Sequence, residues 1–230
     1  MKTTNLIAAS ILFALFSLQG QAASVTKCGT DVCFTYDDST LFGDASVVGN
    51  SIFFLPTDFI AESLNGGVDS TNTTLNIEVN AITAGFDMSQ FLLQEQGDYY
   101  LDGEGASVSA GGLFAVTSTS KTCPDGGFFP CRIEQIFNAD PMTTQGAFDE
   151  WSVAAAIDLA SEGDWGTDSS VIMTIENIIT ATTLNDGEEA FIQKKIAGVG
   201  ITVVPVPAAV WLLGSALGGL GFMGRRRKQK

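Results

Sequence analysis

The chain has 230 residues, of which 26 are acidic and 11 basic, a formal net charge of −15 and no histidine. The missing histidine excludes Ser-His-Asp and Cys-His catalysis and histidine-ligated metals. The acidic surplus repels nucleic acid and anionic lipid, which argues against nucleic acid as a partner.

The N-terminus reads as an export leader. Lys2 supplies a positive charge, and an apolar run from Leu6 to Leu18 is broken only by Ser10 and Ser17. Gly20 and Ala22 place small residues where a signal peptidase needs them. Cleavage is expected after Ala22, with Ala23 as the next choice, so residues 1–22 form a signal peptide. An uncleaved anchor is disfavoured because the apolar core is short for a membrane span.

Residues 23–203 have the size of one domain. All the acidic residues fall there, with only Lys27, Lys121, Arg132, Lys194 and Lys195 as bases, for a net charge of −21. The simplest cause of that charge is solubility in open water. The segment predicts strands. Cys33–Tyr36 and Ser51–Leu55 come first. Then Leu75, Ile77, Val79 and Ala81 alternate with Asn76, Glu78, Asn80 and Ile82, a period of two. Asp98–Leu101, Leu113–Thr117, Arg132–Phe137 and Trp151–Leu159 follow. Val171–Ala181 is rich in β-branched residues. Phe191–Val203 predicts a last strand or pair, bulged at Gly198 or Gly200. A short helix is expected over Phe86–Gln94, and Ala147–Leu159 suits helix or strand. About ten short strands separated by Gly, Asn and Asp predict an all-β domain, a sandwich or jelly roll. Phe42, Phe53, Phe54, Phe59, Phe86, Phe91 and Phe114 are expected in its core.

The four cysteines form two local pairs, Cys28 with Cys33 and Cys123 with Cys131. In an exported chain an even count points to disulfides. Three connectivities are possible, and the local one closes two short turn-rich loops. Two acidic stretches offer oxygen ligands for a structural calcium: Asp98, Asp102 and Glu104 around Gly103, and Glu162, Asp164 and Asp168 around Gly166. Neither has the EF-hand spacing, and solvated turns are the default. Trp151 and Trp165 lie beside Asp149, Glu150, Asp164 and Asp168. Such neighbours suit a ring stacked on a sugar while carboxylates accept its hydroxyls, although ordinary burial is the commoner fate of tryptophan. Asp37-Asp38 and Glu188-Glu189 are adjacent acids. Neighbouring strand residues point to opposite faces, so these pairs do not make the facing carboxylates of a glycoside hydrolase.

The C-terminus has three parts in order. Val204-Pro205-Val206-Pro207-Ala208 is a proline motif. Ala208–Gly224 is an apolar stretch of 17 residues, near the lower limit for a membrane helix. Arg225, Arg226, Arg227 and Lys228 open a basic tail that stays cytoplasmic by the positive-inside rule. This terminus resembles the PEP-CTERM sorting signal of Gram-negative surface proteins, in the variant beginning Val-Pro-x-Pro-Ala, with Val206 where the family's glutamate stands. The resemblance covers residues 204–230. It implies an inner-membrane anchor before processing, recognition by an exosortase-type enzyme, and release to the cell surface or an exopolysaccharide-rich matrix. The expected role is therefore structural or interactive, in an extracellular matrix or biofilm. The alternatives are a carbohydrate-binding module on the same scaffold and, more remotely, a glycoside hydrolase.

Overall fold

The computed structural model describes residues 24–86, 88–122, 130–159, 168–195 and 200–203. The expected signal peptide and sorting signal lie outside them. The described residues form thirteen strands and no α-helix. They are β1 (Ser24–Cys28), β2 (Val32–Asp37), β3 (Ala45–Val48), β4 (Ser51–Phe54), β5 (Ile60–Leu64), β6 (Gly67–Ala81) and β7 (Gln90–Asp102). After these come β8 (Ser107–Thr122), β9 (Pro130–Asn138), β10 (Asp149–Asp158), β11 (Ser170–Thr183), β12 (Glu189–Lys194) and β13 (Gly200–Val203). No helix among the described residues is long and apolar enough to cross a membrane.

The strands pair antiparallel in two sheets. One has the order β1-β2-β6-β11-β8-β9. The other runs β3-β4-β13-β7-β12-β5, with β10 on the free side of β7. Strand β7 organises the second sheet. Its residues 97–102 pair with β12, its residues 91 and 92 pair with β13, and β10 covers its opposite edge from Gln90 to Tyr99. The expected last pair over Phe191–Val203 is thus β12 and β13, successive strands along one side of β7.

Alternation explains why these residues form a sandwich. In β6, Leu75, Ile77 and Val79 are buried while Asn76 and Glu78 are exposed. Strand β11 buries Val171, Met173 and Ile175. Facing them, β7 buries Phe91, Leu93, Tyr99 and Leu101, and β12 buries Ala190 and Ile192. One hydrophobic cluster joins both inner faces. Each large apolar side chain removed from water there contributes about 1.5–3 kcal/mol. Of the seven phenylalanines expected in the core, Phe42, Phe54, Phe59, Phe91 and Phe114 are fully buried, while Phe53 and Phe86 are half-buried. Phe53 lies on the outer phase of β4.

Two local expectations are corrected. The helix over Phe86–Gln94 is absent: Gln90–Gln94 open β7, with Phe91 and Leu93 inward. The residues there form helices readily, but pairing with β10 and the shared core decide their state. Ala147–Leu159 resolves as strand β10. The count of strands also rises from about ten, because β1, β3 and β5 are short edge strands with weak apolar signals.

Candidate functional site

The most unusual chemistry in the fold lies inside the sandwich. Three strands place a polar residue on their apolar phase: Glu95 after Phe91 and Leu93 in β7, Lys194 after Ala190 and Ile192 in β12, and Asn177 between Ile175 and Ile179 in β11. Lys194 is the cross-strand partner of Gly97, so its side chain leans diagonally toward Glu95 on the same face. Asn177 comes from the opposite sheet. The three side chains meet at the middle of the core, each no more than 3% exposed.

Lys194 Nζ lies 2.7 Å from Glu95 Oε2. Asn177 Nδ2 donates to the same Oε2 at 3.1 Å. Lys194 Nζ also donates to Asn177 Oδ1. The rings of Phe59 and Phe42 close over the amine, their centroids 4.9 and 5.2 Å from Nζ. Glu95 Oε1 has no hydrogen-bond partner among the described residues. Burial is the largest influence on both ionisable groups. It pushes the Glu95 carboxyl up and the Lys194 amine down, against the attraction of each for the other.

Nothing in the sequence reading singled out these residues, although the signal was present. A lysine, a glutamate and an asparagine each interrupt an inward-facing apolar series, which is costly unless they meet one another.

The residues expected from sequence are distributed elsewhere. Cys28 and Cys33 form a disulfide that joins directly opposed residues of the β1–β2 hairpin. Cys131 is buried and disulfide-bonded, and Cys123 lies outside the described residues. Of the first calcium set, Asp98 and Asp102 share the outer phase of β7, and Glu104 is exposed in the following turn. Asp98 is bridged by Lys195 Nζ at 2.5 Å and accepts from Gln193 Nε2 at 3.1 Å. Of the second set, Asp168 is buried, accepting from Ser120 Oγ at 2.8 Å and from Ser118 Oγ. Glu162, Asp164 and Trp165 lie outside the described residues. Among the described residues no three acidic or cysteine side chains cluster as a metal site would require.

Trp151 is 4% exposed. Its indole N–H donates to the Gln193 carbonyl at 3.2 Å, and its ring lies against Gly97, where an added Cβ would stand 2.6 Å from Nε1. The ring is therefore packing, and the stacking face expected for a sugar is corrected to a covered one. Its rim borders an open cleft lined by Gln96, Asp98, Glu150, Ser152 and Lys195. Asp98 and Glu150 are direct cross-strand partners there.

Two further carboxylates fix loops. Glu188 accepts from the Asn185 side-chain amide at 2.9 Å and from the backbone N–H of Asn185 and Leu184 at 2.9 Å and of Gly105 at 2.8 Å, and these bonds, the side-chain one foremost, hold its carboxyl down to about 2. Asp44 binds Lys27 and accepts from Tyr36 Oη at 2.8 Å, and its carboxyl is likewise lowered to about 2.

No family model and no curated protein matches the chain. Among solved structures it is similar to one of carbohydrate-binding modules from the β-sandwich superfamily. The identity is 13% over 78% of this chain and 75% of that one, and the TM-score is 0.22. A structure of infectious bursal disease virus, Gt strain, aligns at 11% identity over 66% of this chain and 42% of that one, with a TM-score of 0.19. Likenesses this distant carry no argument about function.

Proposed function

We propose that this chain is an exported protein of the Gram-negative envelope, processed by an exosortase-type enzyme and serving as a structural or interaction module at the cell surface or in an exopolysaccharide matrix. The single observation that carries this is the pairing of a leader over residues 1–22 with a proline motif, apolar stretch and basic tail over residues 204–230. Two features of the folded part agree with it. The Cys28–Cys33 disulfide suits an oxidising compartment. The acidic surplus of residues 23–203 suits a protein that stays dissolved outside the cell.

The test is deletion of Pro205–Lys230 followed by fractionation. The full chain is expected in the envelope or medium, and the deletion is expected to change that location while the sandwich stays folded. Both forms in the cytoplasm would refute the proposal.

One observation favours a second function, sugar binding. Gln96, Asp98, Glu150 and Ser152 line one open cleft with amide, carboxylate and hydroxyl groups suited to sugar hydroxyls. A glycan array without binding, with and without calcium, would remove it.

A further inference from the structure

The buried trio of Lys194, Glu95 and Asn177 has more in it than an ion pair needs. An amine and a carboxylate alone would neutralise each other. Here a carboxamide from the opposite sheet contacts both of them. Its oxygen touches the amine and its nitrogen touches the same carboxyl oxygen that the amine touches. The amide carbon, Cγ of Asn177, is one bond of about 1.2 Å beyond Oδ1. A small shift of Nζ from oxygen to carbon reaches attack distance.

We propose that Lys194 and Asn177 join spontaneously in an intramolecular isopeptide bond, with Glu95 as the catalytic residue, so that β12 of one sheet is covalently fastened to β11 of the other.

The chemistry balances without a co-reactant. The lone pair of neutral Nζ attacks Cγ and forms a C–N bond. Glu95, starting as the neutral acid, gives its Oε2 proton to Nδ2 while one proton of the attacking amine replaces it on Oε2. The Cγ–Nδ2 bond breaks, its electron pair stays on nitrogen, and ammonia leaves. Glu95 returns to its starting state. The product is a secondary amide between the two side chains. No atom is oxidised or reduced.

Four features of the site serve that sequence. Glu95 Oε2 lies within 2.7 Å of the attacking nitrogen and 3.1 Å of the leaving one, so one oxygen can relay the proton. Burial disfavours both charges, which favours a neutral amine facing a neutral acid, and only the neutral amine is nucleophilic. The Phe42 and Phe59 rings close over the attacking amine and shield it from water, so it meets the amide unsolvated. The reacting groups are held by three paired strands, which replaces a bimolecular encounter with a fixed one. The proposal does not depend on export or on processing of the C-terminus.

The test uses the full chain purified in folded form, then denatured, reduced and digested for mass spectrometry. The expected result is a branched peptide joining Lys194 to Asn177, lighter than its two parts by one ammonia, about 17 Da. A succinimide at Asn177 would show the same loss but no branch, so the branch decides. Lys194→Met and Asn177→Ala should each abolish it. Glu95→Gln should leave folded protein, by circular dichroism, with the branch absent or slowed at least 10-fold after refolding. Wild-type protein that melts cooperatively yet yields only unbranched Lys194 and Asn177 peptides would overturn the proposal, and needs no variant to fold. Full-speed branching in folded Glu95→Gln would overturn the role of Glu95.

Discussion

Removing the Cys28–Cys33 disulfide is expected to loosen one edge of the protein and leave its core closed. Strand β1 pairs with β2 alone and stands at the end of its sheet. None of its residues is fully buried. Its attachment therefore rests on the hairpin ladder, the half-buried Val25, the ion pair of Lys27 with Asp44, and the disulfide. The two cysteines are five residues apart in sequence. For a loop that short the chain-entropy relation gives about 2 kcal/mol. Because β1 can open without the rest, that free energy should appear as local opening. At about 1.4 kcal/mol per tenfold, the opening constant of β1 should rise about 30-fold in Cys28→Ser/Cys33→Ser. Hydrogen exchange read by mass spectrometry separates the local event from a global one. Protection over 24–28 should fall by that factor, while amides of β6 and β11 should keep theirs. Equal loss across β11, or none in β1, would refute the description of β1 as a stapled edge strand.

Other perturbations probe the rest of the fold. Glu188 and Asp44 have folded-state values near 2 against ordinary values of 4.5 and 3.8, so each contributes stability that is complete above its ordinary value and lost as pH falls toward 2. The melting temperature should therefore drop between about pH 4.5 and 2, and Glu188→Gln should flatten that part of the profile. Gly97→Ala puts a Cβ 1.9 Å from the Gln193 carbonyl oxygen, so calorimetry should show a loss of at least about 1–3 kcal/mol from overpacking. Ile77→Ala empties a fully buried position in β6 and should lower stability in urea titration by about 2–5 kcal/mol with the m-value unchanged.

How far the sequence revealed this molecule depended on what each strand borders. Strands β6 and β11 were legible because each buries one face, and the run from Leu75 to Val79 alternates accordingly. Ile82 breaks the alternation in composition only, since it is exposed just beyond β6. Strand β7 was half legible. Its opening Gln90–Gln94 has good helix formers, and only its three partner strands on two sides make it extended. The hairpin disulfide was legible from an even cysteine count in an exported chain together with the short spacing of Cys28 and Cys33. Trp151 was not, because an amphipathic ring beside acids looks the same whether it faces a ligand or Gly97. The Lys194 cluster was the largest omission. Its three members lie up to 99 residues apart, counted from Glu95 to Lys194, and their meeting depends on the register of β12 on β7 and on the opposite sheet. What the sequence did offer was phase: each sits where its strand otherwise places an apolar side chain.

The central claim is that two terminal signals deliver a disulfide-bonded acidic sandwich to the outside of the cell. Intact mass of the protein recovered from its producing cells tests this most directly. The expected species begins at Ala23, lacks part or all of residues 204–230, carries oxidised cysteines, and comes from the envelope or medium. A full-length chain with its leader attached and its thiols reduced, recovered from the cytoplasm, would contradict the claim.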